Sequence, residues 1–112
     1  MVMDEPFSAI GLRLQGQRVV FAGGGAAAER RLSRLLDSGA SLKVFAPEPT
    51  PDMELLAAKG RITLHRRLPE PDDFAGARLV FIAIDDPATA ASLASAARPH
   101  GARGVHSRAR RE

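Results

Sequence analysis

Cysteine is absent from the 112 residues of the sequence. Disulfide bonds, thiolate metal sites and a cysteine nucleophile are therefore excluded. Tryptophan and tyrosine are absent as well, and five phenylalanines are the only aromatic residues. Proteins that bind single-stranded nucleic acid usually stack several exposed aromatic rings on the bases, so we expect no nucleic-acid partner.

Long apolar segments are also missing. No apolar run approaches the roughly 20 residues that a helix needs to span a bilayer. The first residues, MVMDEPFSAIGLRLQ, lack the basic and apolar regions of a secretory signal. We therefore expect a cytoplasmic protein without membrane contact. The three histidines, His65, His100 and His106, do not have the spacing of metal ligands, which predicts no metal site.

The basic charge of the chain is concentrated at its C-terminal end. The net charge is +3, and residues 98–112 carry five arginines against one glutamate, a net charge of +4. The preceding residues, 1–97, carry 11 basic and 12 acidic side chains, a net charge of −1. This distribution predicts one domain over residues 1–101 and a basic, disordered tail over residues 102–112.

Segments typical of strands and of helices alternate along the chain. Short apolar runs rich in β-branched and aromatic residues predict strands, whereas leucines and alanines at helical spacing predict helices that end at glycines. The predicted elements are, in order, a strand over 18–22, a helix that ends at Gly39, a strand over 41–46, a helix over 51–59, a weaker strand over 62–66, a helical turn around Phe74, a strand over 79–84, and a helix over 88–97 closed by Gly101.

Residues 79–84, LVFIAI, form the most apolar of the predicted strands. A strand that is apolar throughout must be covered on both faces, which favours a central position in a parallel sheet. Together with the alternation of strands and helices, this predicts an α/β fold in a single domain, a Rossmann-like, doubly wound parallel sheet of four to five strands. Two aspartates, Asp85 and Asp86, follow the strand, and one of them is expected to cap the last helix.

Residues 23–28, GGGAAA, fit the pattern G-x-G-x-x-G/A between the first strand and the first helix. Gly23 allows the tight turn out of the strand, Gly25 lets the backbone approach a pyrophosphate, and Ala28 lets the helix pack closely on the strand. Unpaired N–H groups at the helix N-terminus then face the phosphates. The pattern favours dinucleotide binding, and the alternative is a glycine turn that only permits close packing.

An acidic residue that binds the ribose of NAD normally lies about 20 residues after these glycines, at the end of the second strand. Here that strand ends in Ala46 and Pro47, and the nearest acid is Glu48. Glu48 is either a ribose ligand or a solvated loop residue. This position therefore does not distinguish NAD from NADP.

Four segments of the chain carry a resemblance to a known family. They are LRLQGQRVVFAGGG, AAAERRLSRLLDSGASLKVFAPE, LLAAKGRITLHRR and FAGARLVFIAIDDPATAASLASAAR. In this order the four segments resemble the N-terminal domain of siroheme synthase, that is, the precorrin-2 dehydrogenase/sirohydrochlorin ferrochelatase family. The end of the second segment, with its GA and AP residues, resembles the corresponding part of that domain. The resemblance covers roughly residues 6–101 and is more specific than the glycine pattern alone.

This resemblance implies a cofactor, a reaction and partners. The family uses NAD+ to oxidise precorrin-2, an anionic tetrapyrrole, to sirohydrochlorin, and many members then insert Fe²⁺ to make siroheme. Its members form homodimers. Carried over position by position, the resemblance implies that NAD contacts Gly23, Gly24, Gly25, Ala26, Ala46, Pro47, Ala83, Ile84 and Asp85.

The sequence departs from the family at three places. Ile84 stands where the family has the threonine of ATDD, and Ala90 stands where it has an asparagine. After Gly101 the chain reads ARGVHSRARRE. The family has there a fifth strand reading NVVD, whose aspartate is implicated in both activities, and then a domain for dimerisation and substrate binding. No aspartate follows Asp86, so no catalytic residue is assigned.

These departures leave three hypotheses for the chain. The first, implied by the resemblance, is an enzyme, an NAD-dependent precorrin-2 dehydrogenase, whose chain here is C-terminally truncated or frame-shifted and lacks the catalytic aspartate and the dimerisation segment. Reading the downstream DNA in all three frames tests it. The second is a non-catalytic NAD(P)-binding module, and the third is a fragment too short to fold.

Overall fold

Five strands and three α-helices alternate along the part of the chain that the computed structural model describes, residues 15–100 and the backbone of 103–107. The elements are β1 (Arg18–Ala22), α1 (Gly25–Asp37), β2 (Ser41–Phe45), α2 (Pro51–Ala58), β3 (Thr63–His65), β4 (Leu79–Ile82), α3 (Pro87–Ala97) and β5 (Arg103–Ser107). Two short 3-10 turns lie at Pro71–Phe74 and Arg98–His100.

The five strands form one parallel sheet in the order β3-β2-β1-β4-β5. The chain runs outward from β1 to β3, then crosses back and runs outward again from β4 to β5 on the other side. β1 is therefore flanked by β2 and β4, and Phe21 is paired with Val44 on one side and with Phe81 on the other. The predicted Rossmann-like, doubly wound sheet is confirmed. The sheet grows in one direction from β1 to β3 and in the other from β4 to β5. This change of direction lies between β1 and β4, and such sheets bind ligands at this point.

Both faces of the sheet are covered by a hydrophobic core. Alternate residues of the central strands point to opposite faces, because side chains in a strand alternate. On one face, Phe21 and Phe81 pack with leucines of α1 and with Met53 of α2. On the other face, Val20 and Ile82 pack with α3 and with the 3-10 turn at Pro71–Phe74. β4 is buried along its whole length, as its apolar sequence predicts.

The helix ends follow the local sequence signals. Gly39 has a φ of 79° just after α1, which ends the helix in the left-handed conformation that glycine adopts without strain. Thr50 caps α2, since its hydroxyl oxygen accepts a hydrogen bond from the Met53 N–H at 3.2 Å. The predicted closing glycine of α3, Gly101, lies outside the described residues.

β4 is two residues shorter than the sequence predicts. It ends at Ile82 and not at residue 84. The Ala83 N–H still donates to the Ala22 carbonyl at 2.8 Å, but β1 ends at Ala22 and the chain turns away at Gly23. Ladder pairing with β1 therefore stops, although the sequence stays apolar for two further residues.

The structure places a strand where the sequence predicts part of a tail. Residues 103–107 form β5 and pair with β4 in parallel. The segment RGVHS has one strongly apolar residue, so its sequence carries no strand signal. The strand depends on backbone hydrogen bonds to the edge of β4, which only the assembled sheet provides. The boundary between residues 101 and 102 stays a prediction.

Candidate functional site

Gly23 lies at the point where β1 leaves the sheet, beside the end of β4. Its N–H donates to the Phe45 carbonyl at 3.0 Å, and its φ is 149°. A β-carbon at this position would overlap the carbonyl oxygen of Ala83 and lie 3.0 Å from its carbonyl carbon. The close approach of β1 and β4 therefore requires a glycine here.

Gly24 is the residue that precedes α1, and it touches the loop after β2. A β-carbon on Gly24 would lie 2.9 Å from the carbonyl oxygen of Glu48 and 3.9 Å from the β-carbon of Ala46. The glycine turn is thus enclosed by the ends of β4 and β2. The structure brings four of the predicted site residues together at this edge of the sheet: Gly23, Gly24, Ala46 and Ala83.

Gly25 differs from the two glycines before it. Its φ is 90°, but a β-carbon there would meet no atom of the described residues within 4 Å. Packing of the protein therefore does not explain a small residue at this position. A glycine here permits the backbone conformation and leaves the N-terminus of α1 open to approach from outside.

The N-terminus of α1 offers backbone donors that no side chain of the described residues caps. Gly24 provides no capping side chain, and the first turn of the helix contains no acidic residue. The first N–H groups of a helix have no partner within the helix, and its dipole attracts anions to this end. Ala26 is exposed there, and Ala28, two residues further along the helix, is buried against the sheet, as predicted. These groups suit a phosphate or pyrophosphate.

The segment after β4 begins with Ala83 and contains two further predicted site residues, Ile84 and Asp85. Ala83 and Ile84 are half-buried, and Asp85 is exposed. Ile84 packs against the core on the α3 side of the sheet and Ala83 against the core on the opposite side. Pro47, in the loop after β2, is exposed as well.

Asp86 is the aspartate that caps α3. Its carboxylate accepts hydrogen bonds from the Thr89 N–H at 2.9 Å and from the Thr89 hydroxyl at 2.6 Å. These bonds stabilise the ionised form, so they hold the pKa of Asp86 below its usual value of 3.8. The structure therefore assigns the cap to Asp86 and leaves Asp85 at the mouth of β4.

Replacing Asp86 by alanine is expected to lower the melting temperature by roughly 4 °C at pH 7. A depressed pKa in the folded state stabilises the fold above the usual pKa of 3.8, and this contribution is lost as the pH falls through the folded-state value. The difference between the two proteins should therefore shrink below pH 4. Thermal unfolding monitored by circular dichroism between pH 2.5 and 7 measures it, with Asp85→Ala as the matched control. A difference that stays constant with pH would contradict the assignment.

An acidic group that the sequence analysis did not single out lies between α1 and α2. The carboxyl of Glu29, on α1, is hydrogen-bonded to that of Asp52, in the first turn of α2, and this bond raises the pKa of Glu29. The Thr50 hydroxyl also forms a hydrogen bond with Glu29, and this bond lowers the pKa of Glu29. No spacing signal could have indicated this contact, because it depends on how the two helices pack.

Three further observations concern position 90, metal ligands and helix length. Ala90, where the resembled family has an asparagine, is buried in the core on the α3 side. Among the described residues, no three potential metal ligands come together. Within the same residues, the longest helix has 13 residues, and none could cross a bilayer.

Comparison with known sequences gives one family and several relatives. Residues 10–104 match a family described as “Putative NAD(P)-binding”. The chain is 40% identical over 90 residues to a siroheme synthase of Methylococcus capsulatus and 32% identical over 88 residues to a precorrin-2 dehydrogenase of Bacillus subtilis. These alignments cover 80% and 79% of this chain. They cover 19% and 54% of the two relatives, so the chain spans about a fifth of the first and about half of the second.

Comparison with solved structures agrees with the sequence relatives. A chain described as “SirC, precorrin-2 dehydrogenase” superposes with a TM-score of 0.65 at 31% sequence identity. The match covers 69% of this chain and 39% of that one. Sequence and fold therefore lead to the same group of proteins.

Proposed function

The chain belongs to the NAD(P)-binding family whose domains occur in siroheme synthases and precorrin-2 dehydrogenases, and on this premise we propose that it binds NAD+ at the glycine turn. The observation that carries the proposal is the open N-terminus of α1 at Gly25, beside the change of direction of the sheet. The turn and the ends of the neighbouring strands fit a dinucleotide, because backbone donors lie at the N-terminus of α1 and, among the residues that the structure describes, no side chain fills the space beside Gly25.

The residues proposed to contact the cofactor lie along one edge of the sheet. Backbone groups of the turn and of the first turn of α1 hold the pyrophosphate, the end of β2 lies under the adenosine half, and the end of β4 lies under the nicotinamide half. The proposed contacts are Gly23, Gly24, Gly25, Ala26, Ala46, Pro47, Ala83, Ile84 and Asp85.

The relatives suggest the reaction that this cofactor serves. Two of them are precorrin-2 dehydrogenases by name, so we propose that the protein acts in siroheme biosynthesis on precorrin-2, with NAD+ as hydride acceptor. The chain contributes cofactor binding and orientation. Because the segment RGVHS contains no aspartate where the family has NVVD, we expect these 112 residues by themselves to bind NAD+ with little or no formation of sirohydrochlorin. A homodimer and a cytoplasmic location stay predictions.

Isothermal titration of the chain with NAD+ tests the proposal. We expect saturable binding that weakens at least tenfold in Gly25→Ala, because the added methyl group projects into the open space that the pyrophosphate must enter. Gly60→Ala is the matched control. Gly60 also has a positive φ, 77°, with open space around it, but it follows α2 at the opposite edge of the sheet.

Three outcomes decide the proposal. Equal weakening in both variants would mean that backbone strain, and not the site, causes the loss. Failure of the unmodified, folded chain to bind either NAD+ or NADP+ would remove the proposed function. Rapid conversion of precorrin-2 would show that this chain turns over without the family aspartate.

A further inference from the structure

β3 forms one edge of the sheet in the part of the chain that the structure describes. It pairs in parallel with β2 on its inner side, and no described strand lies on its outer side. The His65 carbonyl accepts a hydrogen bond from the Ala46 N–H at 2.9 Å, so the backbone groups of His65 point toward β2. In a parallel ladder the N–H and carbonyl of one residue point to the same side, and this side alternates along the strand. Leu64, between Thr63 and His65, therefore directs its N–H and carbonyl outward.

Side chains on both faces of the sheet hold β3 in its extended form. The Leu64 side chain packs against the core on the side of α1 and α2. On the opposite face, the His65 ring stacks on the Phe45 ring, with the two ring centres 4.7 Å apart. Among the described residues, neither backbone group of Leu64 forms a backbone hydrogen bond outside the sheet. An added strand would therefore meet an edge that needs no further ordering before it pairs.

The segment that carries this edge is basic. Residues 59–67, KGRITLHRR, contain four basic side chains and no acidic one, a net charge of +4. Residues 1–97 carry 11 basic and 12 acidic side chains, so the remainder without this segment carries 7 and 12, a net charge of −5. The outer edge of β3 is thus a basic strip on an otherwise acidic domain.

The basic side chains at the two ends of β3 differ in their partners. The arginines after β3, Arg66 and Arg67, form ion pairs with carboxylates of α2 and of the 3-10 turn at Pro71–Phe74. Lys59 and Arg61, before β3, are both exposed, and no ion pair within the described part of the chain involves either of them. Positive charge without a matching carboxylate therefore lies beside the start of the edge strand.

These charges disfavour a second copy of the chain as the partner of this edge. Two copies related by a twofold axis would pair β3 with β3 in antiparallel orientation. That arrangement places the basic residues before β3 of one copy beside the basic residues after β3 of the other. Like charges that face each other across paired strands destabilise the pairing. A strand with acidic side chains would instead gain from the same contacts.

We infer that the outer edge of β3 binds an extended acidic segment of another protein as an added strand. The backbone N–H and carbonyl of Leu64 pair with the backbone of the segment, and carboxylates of the segment meet Lys59 and Arg61. Charged residues on an edge strand prevent pairing with strands of like charge, so the backbone supplies the binding and the charge selects the partner. The inference does not depend on the proposed function, because the edge of β3 is not part of the proposed cofactor contacts.

NMR titration of the isotope-labelled chain with the acetylated and amidated peptide EEVTVEE tests the inference. We expect saturable shifts of the backbone amide of Leu64 and of its neighbours in β3. The charge-reversed peptide KKVTVKK should bind at least about tenfold more weakly. The peptide EEVTVEE with its three central N–H groups methylated should also bind at least about tenfold more weakly, because methylation removes the donors that an added strand uses.

The double variant Lys59→Gln/Arg61→Gln tests the contribution of the protein's charges. We expect it to bind EEVTVEE about three- to tenfold more weakly, since exposed ion pairs contribute modestly. The dispersion of its amide signals establishes that it is folded. Arg30→Gln/Arg78→Gln is the matched control, because it also removes two exposed positive charges, from α1 and from the residue before β4. Its affinity for the peptide should equal that of the unmodified chain.

Four results would overturn the inference. Equal binding of the methylated peptide would mean that charge alone holds the segment. Shifts elsewhere in the chain without a shift of the Leu64 amide would place the peptide at another surface. Equal weakening in the double variant and in its control would mean that net charge, and not the edge, governs binding. Shifts of the Leu64 amide that depend on protein concentration without peptide would identify a second copy as the occupant. None of these results bears on NAD+ binding, which is titrated separately.

Discussion

Replacing Gly23 by alanine is expected to lower the free energy of unfolding by about 3 kcal/mol or more. Two effects add at this position. The φ of 149° is a conformation that residues with a side chain rarely adopt, and the new methyl group would overlap the Ala83 carbonyl. Because Ala83 is held by its hydrogen bond to Ala22 in the middle of the sheet, neither strand can move without loss of ladder bonds. The fall in melting temperature should be roughly 12 °C or more.

Urea denaturation followed by circular dichroism measures this effect. Gly60→Ala is again the matched control, since Gly60 has a positive φ with no atom of the described residues nearby, and this variant should lose only about 1 to 2 kcal/mol. The difference between the two losses in free energy gives the cost of the overlap with the Ala83 carbonyl, because both variants carry the backbone strain. Equal losses in the two variants would show that β1 and β4 do not approach each other at Gly23 as closely as the structure indicates.

Replacing Phe74 by alanine is expected to lower the free energy of unfolding by about 3 to 5 kcal/mol. The ring is fully buried and belongs to the core on the α3 side of the sheet. It is presented by the 3-10 turn at Pro71–Phe74, which Asp73 closes by accepting a hydrogen bond from the Glu70 N–H at 2.7 Å. Removing the ring leaves a cavity between this turn and α3, and the rigid sheet behind it cannot fill that space.

The control for Phe74 lies in the same crossover segment. Leu68 is 38% exposed, so Leu68→Ala removes an apolar side chain that is not part of the core. We expect a loss of less than about 1 kcal/mol for it. Denaturation curves with unchanged slopes allow the two losses to be compared directly. A loss for Phe74→Ala as small as that for Leu68→Ala would mean that the crossover is not anchored by this ring.

Much of the fold could be predicted from local patterns in the sequence. β1 was predicted with its observed bounds, and the helices with bounds that differ by a residue or so, because apolar periodicity and capping residues act over a single turn or strand. The apolar run at residues 79–82 indicated a strand buried on both faces, and β4 is one. The position of the glycine turn between a strand and a helix was equally a local signal. It led to the correct fold and to the edge of the sheet where a cofactor is proposed to bind.

The roles of individual site residues depended on contacts between distant segments. The three glycines look alike in the sequence, but Gly23 is constrained by β4 and Gly24 by the loop after β2, whereas Gly25 faces open space. Asp86, and not Asp85, caps α3, because the backbone at the start of the helix places the Asp86 carboxylate within hydrogen-bond distance of the Thr89 N–H. Such differences cannot be seen in a pattern of residue types.

The sequence by itself determined the order of strands and helices, the parallel α/β architecture and the location of the glycine turn, because these follow from short-range periodicity and backbone conformation. Only the tertiary structure decided that RGVHS becomes an edge strand, that β4 stops at Ile82, and that Glu29 meets Asp52. Each of these depends on a partner far away along the chain. Pairing and repulsion between such partners arise only when folding has brought them within hydrogen-bond distance.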